Sequence, residues 1–297
     1  MIEQQETKPE RSAKNDAALP EAPPHYSPLV LCADDFGQHV GIDAAVILLL
    51  SKNRLSAVSC MSNAPRWRAM AAPALLELRS KVQGQRSFDV GLHFNLTEGF
   101  GYPPAWSLRA ILLQSHVHLL APERLQQSWH AQLDGFERAM RAAPDFIDGH
   151  QHVHQLPQVR EAMLKVMQER YGASRLPWVR NTMRAARSES GKARLLEWLG
   201  GAKLSRRLRQ QGIESNQGFG GVYGFDAPNA QAYASLFGQW LQQSHAGGLI
   251  MCHPAAAKNA DDPISSQRLV EYAFLTSSEF PQLLTQHHRR LSRLRDS

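Results

Sequence analysis

The most informative stretch of this 297-residue chain is Leu29-Val30-Leu31-Cys32-Ala33-Asp34-Asp35-Phe36-Gly37. A short apolar run of strand length ends in two adjacent carboxylates, which repel each other if both are buried. Either one carboxyl group keeps a proton or a cation offsets the charge. A common arrangement uses a divalent metal, with one carboxylate as ligand and the other free for proton transfer. The alternative is an Asp-Asp turn that caps the next helix.

Two later segments place histidines after short β-prone runs: Val90-Gly91-Leu92-His93-Phe94-Asn95-Leu96 and Ile147-Asp148-Gly149-His150-Gln151-His152-Val153-His154. Imidazole is the commonest nitrogen ligand of catalytic metals. One Asp and two His from three strand ends would form a three-ligand site with open positions for water and substrate. If the second strand runs through its histidines, a period of two puts all three on one face with Asp148. A lone His93 is also compatible with a core or capping role.

Strand-like and helix-like segments alternate from Ser27 onward, which predicts an α/β fold with a mostly parallel sheet. The candidate residues fall at the carboxyl ends of predicted strands, where parallel sheets and barrels carry their chemistry. We predict helices over residues 122–142, 157–171 and 278–294, and a long loop or lid over residues 100–121.

The chain divides into a short extension and one domain. Residues 1–27 are polar and contain prolines at positions 9, 20, 23 and 24, so we expect a disordered N-terminal extension. Residues 28–297 are long enough for one α/β barrel domain.

The bulk composition is that of a globular protein, with 43% hydrophobic and 20% charged residues. No apolar run reaches the roughly 18 residues of a membrane span, and the N-terminus lacks a secretory pattern. Three cysteines, Cys32, Cys60 and Cys252, lie in apolar runs without metal spacing and indicate reduced thiols in a cytoplasmic protein. The sequence leaves open whether the chain forms a homo-oligomer.

The net charge of +6 is concentrated in the Arg-rich stretch 180–209 and in the tail 287–295. One interpretation is contact with an anionic membrane, with nucleotide-sugar phosphates or with nucleic acid. The other is a solvated helix face. Because the basic residues are not interleaved with aromatic ones and no nucleic-acid motif is present, we expect no nucleic-acid partner.

A fourth segment places another histidine at the end of a predicted strand: Gly248-Leu249-Ile250-Met251-Cys252-His253-Pro254. With it, the chain resembles the YdjC-like carbohydrate deacetylases, a family that includes chitooligosaccharide deacetylases and a hopanoid-associated group. The matching blocks are Ala33-Asp34-Asp35-Phe36-Gly37, Gly91 to Gly99, Asp148 to His154, and Met251 to Pro254. They occur in the family's order and span about residues 28–256. The chain departs from the family pattern in its N-terminal extension and in Gln38-His39.

The resemblance implies a distorted (β/α) barrel, one divalent metal ion (Mg²⁺ or Zn²⁺) and removal of an N-acetyl group from an amino sugar, free or lipid-linked. Carried over by position, the metal ligands would be Asp35, His93 and His150. Asp34 would be the general base, and His253 would be the general acid. The metal would polarise the amide carbonyl and lower the pKa of a water molecule.

Other residues have weaker assignments. His152 and His154 match the third block and would contact substrate or support the ligands. Arg180 follows a predicted strand and would bind substrate, or form a surface salt bridge. Tyr223 would stack on a sugar ring, or pack in the core. Asp148 would orient a ligand histidine.

Two other functions compete with deacetylation. A metal-dependent phosphoesterase uses similar Asp and His clusters, although it usually needs two metals and more ligands than this sequence offers. A non-catalytic carbohydrate-binding barrel is the third reading. Five candidate catalytic side chains together argue against it, because the loss of one ligand would suffice to disable such a site.

Overall fold

The computed structural model describes residues 26–81, 88–101, 106–172, 174–185 and 191–297. Its strands are β1 (Ser27–Phe36), β2 (Ala57–Cys60), β3 (Asp89–Phe94), β4 (Phe146–Gly149), β5 (Trp178–Val179), β6 (Phe219–Gly220), β7 (Gly248–Cys252) and β8 (Arg289–Leu291). Its helices are α1 (Val40–Ser51), α2 (Ala72–Lys81), α3 (Leu108–His116), α4 (Pro122–Met140), α5 (Pro157–Tyr171), α6 (Gly191–Leu196), α7 (Ala202–Gln210), α8 (Ala230–Gln243), α9 (Ser265–Thr276) and α10 (Glu279–Gln286). Residues 1–25 of the expected extension lie outside the described ranges, and Ser27 already belongs to β1.

The strands form one sheet in the order β5-β4-β3-β2-β1-β7-β6, and β8 pairs with the first residues of β1. Each of these pairings is parallel. An isolated bridge from Arg184, just after β5, to Phe219 of β6 brings the two ends of the path together. The predicted α/β class and distorted (β/α) barrel are confirmed, and the curled parallel sheet brings its strand ends around one mouth.

Side chains alternate between the inside of the curled sheet and the layer under the helices. Along β1, Leu29, Leu31 and Ala33 belong to the large apolar cluster shared with the helices. Val30 and Cys32 belong to a smaller inner cluster. On β3, Gly91 makes room inside the sheet, since a Cβ there would lie 2.5 Å from the ring of Phe146. The inner residues near the carboxyl ends of the strands form the polar site described below.

Two predicted elements differ in the structure. The expected loop over 100–121 contains helix α3, of which Ser107 is the N-cap, its side chain accepting from the backbone N–H of Ala110. Residues 102–105 of that loop lie outside the described ranges. The expected helix over 278–294 ends at Gln286, and Arg289–Leu291 forms β8 instead. The reason is that the start of β1 needs backbone partners, which β8 supplies.

The three cysteines are buried and free, as the sequence predicted. None of the described helices has both the length and the apolar character that crossing a bilayer requires.

Asp89 lies at the amino end of β3, where its Oδ2 accepts from the Trp178 indole at 3.1 Å and from the backbone N–H of Leu294 at 3.3 Å. Burial and the nearby Asp145 raise the pKa of Asp89 from 3.8 to about 6. The unfolded chain therefore loses this proton at lower pH than the folded chain. Stability falls as the pH rises from about 4 to about 6 and stays lower above that, by about 3 kcal/mol at most.

We therefore expect Asp89→Asn to stabilise the protein by about 1–2 kcal/mol near pH 8 and to have little effect near pH 4. The amide oxygen can still accept from Trp178, while the charge that faces Asp145 is gone. Urea unfolding across this pH range measures the difference, with the exposed Asp226→Asn as the control. An equal effect of Asp89→Asn at both pH values would contradict the assignment.

Candidate active site

The two adjacent aspartates reach the same cavity because β1 is irregular at this point. Its register with β2 shifts between Ala33 and Phe36, and Asp35 has a φ of 66°. In a regular strand Asp34 would point inward with Cys32, and Asp35 would point outward. The bulge and the left-handed residue turn the Asp35 carboxylate back, so that both aspartates line the cavity. A left-handed non-glycine residue costs free energy, and such strain is concentrated at functional sites.

The predicted ligands Asp35, His93 and His150 come together at this mouth. Asp35 Oδ1 lies 2.9 Å from Nδ1 of His150 and 3.3 Å from Nε2 of His93. One donor atom from each residue lies within 4.8 Å of the others. A carboxylate oxygen and two imidazole nitrogens converging from three strand ends fit a single divalent cation.

His93 is oriented from the side opposite Asp35. Its Nδ1 lies 2.7 Å from Asp148 Oδ1 and 3.0 Å from the hydroxyl of Ser59, which donates to the same Asp148 oxygen at 2.5 Å. Burial opposes protonation of His93, but the Asp148 carboxylate outweighs it and raises the pKa of His93 to about 10. A hydrogen bond from Nδ1 to Asp148 leaves Nε2 directed at Asp35. Asp148 thus occupies the position expected of a carboxylate that orients a ligand histidine.

Asp34 is held by a buried arginine. Both terminal nitrogens of Arg180 donate to the Asp34 carboxylate at 2.6 Å, and Nη2 also lies 2.7 Å from Asp148 Oδ2. Although burial opposes ionisation, the Arg180 guanidinium holds the pKa of Asp34 well below its usual range. The sequence had suggested that Arg180 contacts substrate or forms a surface salt bridge. Arg180 has no exposed surface, so it is placed to fix Asp34 instead.

Arg180 also contacts a second group of side chains that could offer ligand atoms to a metal. Cys32, Asp34 and Asp148 also offer three closely spaced ligand atoms. Nη2 of Arg180 lies 3.1 Å from Cys32 Sγ and donates to Asp34. The Arg180 guanidinium therefore already neutralises this group, and the group is not suited to hold a metal cation.

A second buried arginine, Arg268 of α9, holds the other oxygen of Asp35. Its Nη2 donates to Asp35 Oδ2 at 2.7 Å, and its Nε donates to Asp262 at 2.5 Å. Burial alone would raise the pKa of Asp35, but Arg268 and His150 together hold it well below its usual range. Only Oδ1 of Asp35 faces the two histidines, so this carboxylate is presented as a one-oxygen donor.

His253 follows β7 and lines the same cavity as His93 and His150. Its Nε2 is 3.9 Å from Asp34 Oδ2, and its Nδ1 is 4.0 Å from Glu271 Oε1. Glu271, also on α9, accepts from the backbone N–H of His253 and from the hydroxyl of Tyr223, both at 2.5 Å. Tyr223 lines the cavity as well, and its partly buried ring packs against Phe225, Tyr233 and Trp240 at the edge of the apolar core.

The strand does not run through His150, His152 and His154, so the condition for placing all three on one strand face is not met. β4 ends at Gly149, and His150–Gln155 forms a tight turn in which Gln151 and His152 have positive φ values. The turn separates the three side chains. His152 lines the cavity, whereas His154 is fully buried and its Nε2 lies 3.0 Å from the backbone oxygen of Arg180. Burial lowers the pKa of His154 to about 4, so this histidine is neutral and supports Arg180.

The cavity at this mouth has a volume of about 720 Å³. Asp34, Asp35, His93, His150 and His253 all line it. Its walls also carry aromatic and apolar side chains: Phe100, Leu108, Leu195, Leu196, Val222, Tyr223, Phe225 and Ile264. This combination of convergent polar groups and apolar walls is typical of a small-molecule site.

Sequence reasoning missed Ser59, Arg268 and Glu271. For the last two a signal existed, because both lie on the same face of α9 as Phe274 and Leu275, and all four are buried. A cation and a carboxylate three residues apart on an apolar helix face need buried partners. Ser59 gives no comparable signal, because a lone serine in a short strand is unremarkable.

Comparison with known proteins gives relatives of two kinds. A mouse protein called carbohydrate deacetylase is 30% identical over 165 residues, which is 50% of each chain. The chain thus spans about half the length of this curated relative. A chitooligosaccharide deacetylase from Proteus mirabilis (strain HI4320) is 26% identical over 285 residues, covering 90% of this chain and 98% of that protein.

The fold is also found in a crystal structure. A proposed cellobiose-phosphate cleavage protein from Enterococcus faecalis V583 superimposes with a TM-score of 0.65 over 91% of this chain and 98% of that one, at 18% identity. That likeness supports the architecture. The sequence profile of the family described as YdjC-like protein matches residues 28–286, which include each of the four motif blocks. The chain therefore belongs to the YdjC-like family.

Proposed function

We propose that this protein is a metal-dependent hydrolase that removes an N-acetyl group from an amino sugar. The observation that carries the proposal is the convergence of Asp35, His93 and His150 beside Asp34 and His253 in one cavity. The curated relatives named as carbohydrate and chitooligosaccharide deacetylases support the same chemistry.

Asp35, His93 and His150 would hold the metal ion. A divalent cation bound there would polarise the acetamide carbonyl and lower the pKa of a water molecule. Two imidazoles and one carboxylate oxygen favour Zn²⁺ by ligand softness, and Mg²⁺ remains the alternative from the family resemblance. The Ser59–Asp148 pair directs the His93 ring, and Arg268 limits Asp35 to one free oxygen.

Asp34 would accept the proton of the attacking water. Arg180 keeps this carboxylate ionised and rigid, since it holds both oxygens at 2.6 Å and is itself fixed by Asp148. A carboxylate with a lowered pKa is a weak base. It is adequate when the water to be deprotonated is already acidified, and general base catalysis by such a group contributes about 10²–10⁴-fold.

His253 would protonate the leaving amine, which cannot depart as an amide anion. It lies on the Asp34 side of the cavity, and Glu271 fixes its backbone and lies beside its Nδ1. The Phe225 ring packs edge-on against the imidazole, with centroids 5.3 Å apart. The ring packing and the backbone hydrogen bond place the imidazole beside Asp34, with Nε2 3.9 Å from Asp34 Oδ2.

The cavity walls support an amino-sugar substrate. Apolar sugar faces pack on aromatic rings, and Phe100, Tyr223 and Phe225 supply such rings beside the polar centre. A volume of about 720 Å³ exceeds that of one sugar ring and suits an N-acetylated oligosaccharide or a glycolipid headgroup.

A direct test is acetate release from N-acetylated chitooligosaccharides by protein that has been stripped with a chelator and then reloaded with Zn²⁺ or Mg²⁺. We expect acetate release from loaded protein, loss of activity after chelation and recovery on reloading. A parallel panel of phosphate esters tests the phosphoesterase alternative. Phosphate release without acetate release, or unchanged acetate release from chelated protein, would refute the proposed function.

A further inference from the structure

Residues 191–210, here called the basic rim, connect the active-site cavity to a second groove. They comprise α6, a wide turn over Glu197–Gly201 and α7. Lys192, Leu195 and Leu196 line the active-site cavity. Trp198, Leu199, Gly200 and Lys203 line the neighbouring groove, whose volume is about 520 Å³. The rim therefore forms one side of the cavity mouth.

The rim exposes large apolar side chains. Trp198 is 79% exposed and Leu195, one turn earlier, is 54% exposed. The helix end that faces the same groove, at His116 and His118, carries three more exposed apolar residues: Leu113, Val117 and Leu119. In the part of the chain that the structure describes, only Val40 and Met70 are comparable exposed large hydrophobic residues elsewhere. Five of the seven exposed large hydrophobic side chains in the described residues thus belong to the two segments that border this groove, and such clustering marks an interaction site.

The rim carries a net positive charge. Its sequence contains six Lys or Arg residues and one acidic residue, Glu197. Glu197 is paired with Arg184. On α7, Leu204 and Leu208 are buried against the domain, so Lys203, Arg206 and Arg209 point outward. The groove's carboxylate, Glu161, is paired with Arg160 and Arg207.

We propose that the basic rim docks onto an anionic membrane surface, with Trp198 and Leu195 at the level of the lipid headgroups. Tryptophan and leucine beside outward-facing Lys and Arg are the combination that binds such an interface. A second copy of this chain is a poorer partner, because a two-fold interface would set this cationic face against itself. A soluble sugar chain would not need the exposed aliphatic residues. Docking would bring the cavity mouth next to the bilayer.

The test is sedimentation of the full chain with vesicles of phosphatidylcholine alone and with vesicles containing equal parts of phosphatidylglycerol. We expect binding to the anionic vesicles only, with loss of binding in about 1 M salt, where the Debye length falls to about 3 Å. The double variant Lys203→Gln/Arg206→Gln should bind about tenfold more weakly or worse. Trp198→Ser should also bind more weakly.

Matched controls are available on other faces. Arg138→Gln removes an exposed cation from α4, and Met70→Ser removes an apolar side chain that is 57% exposed. Both should bind vesicles as the unchanged protein does. Trp198→Ser should keep its acetate release from a soluble chitooligosaccharide, because Trp198 does not line the active-site cavity.

No binding to anionic vesicles, equal binding to both vesicle types, or equal losses in the control variants would overturn the proposal. So would a concentration-dependent dimer that Trp198→Ser abolishes while vesicle binding is absent. Vesicle binding is measured without turnover, so this result is independent of whether the chain releases acetate.

Discussion

Asp34→Asn is expected to lower kcat/KM for the proposed acetate release by about 10²–10⁴-fold, while the proposed metal site keeps its affinity. The amide cannot accept the water proton, but Asp35, His93 and His150 are untouched. Metal content by elemental analysis and steady-state kinetics measured on the same sample separate the two properties. The exposed Asp296→Asn serves as the control for a charge change elsewhere.

A structural cost accompanies this change and must be distinguished from the loss of the base. The new amide NH₂ would face the Arg180 guanidinium, which now donates to both Asp34 oxygens. Asp34→Ala is therefore a useful second variant, because it removes the carboxylate without that repulsion, and Asp148 still pairs with Arg180. Normal turnover by a folded, metal-loaded form of either variant would show that another group is the base.

His150→Ala is expected to abolish both metal retention and activity. Losing a direct ligand should weaken metal binding by more than the 10- to 100-fold typical of residues that only support the ligands, so by more than about 100-fold. His150 is a better choice than His93 for this test. The His150 side chain is 14% exposed and contacts Asp35, whereas His93 is buried in a network with Ser59 and Asp148. Truncation of His150 therefore disturbs the core less than truncation of His93 would.

Elemental analysis after dialysis, followed by the acetate assay, measures the outcome. His130→Ala is the matched control, since the His130 side chain is 42% exposed and forms only a distant pair with Glu169 at 3.9 Å. A His150→Ala protein that keeps a full complement of metal would remove His150 from the ligand set. Such a result would also contradict the metal site on which the proposed reaction depends.

Much of this architecture could be predicted from the chain. Strand-helix alternation indicated a parallel sheet, and a parallel sheet places the carboxyl ends of its strands at one edge. For that reason Asp34, His93, His150 and His253 could be assigned to one site although they are far apart in sequence. The four motif blocks then indicated the family, which the match over residues 28–286 confirms.

The sequence left the side-chain arrangement open where local geometry departs from the regular strand. A common face for His150, His152 and His154 depended on β4 continuing through them, whereas the chain turns after Gly149. Arg180 was expected at a surface or in contact with substrate, because arginine is rarely buried without partners. Its partners are Asp34 and Asp148, and neither pairing can be recognised before the strands are placed side by side.

The sequence by itself determined the strand ends, the kinds of side chain that stand there and the family, because these depend on local pattern and on residue type. Only the tertiary structure decided which atoms face one another. The bulge at Asp34–Asp35 brings both carboxylates into one cavity. Arg268 and Glu271, more than two hundred residues later than Asp35, fix its second oxygen and the backbone of His253. Such contacts depend on the closed sheet, since buried charges select their partners by proximity in the folded chain.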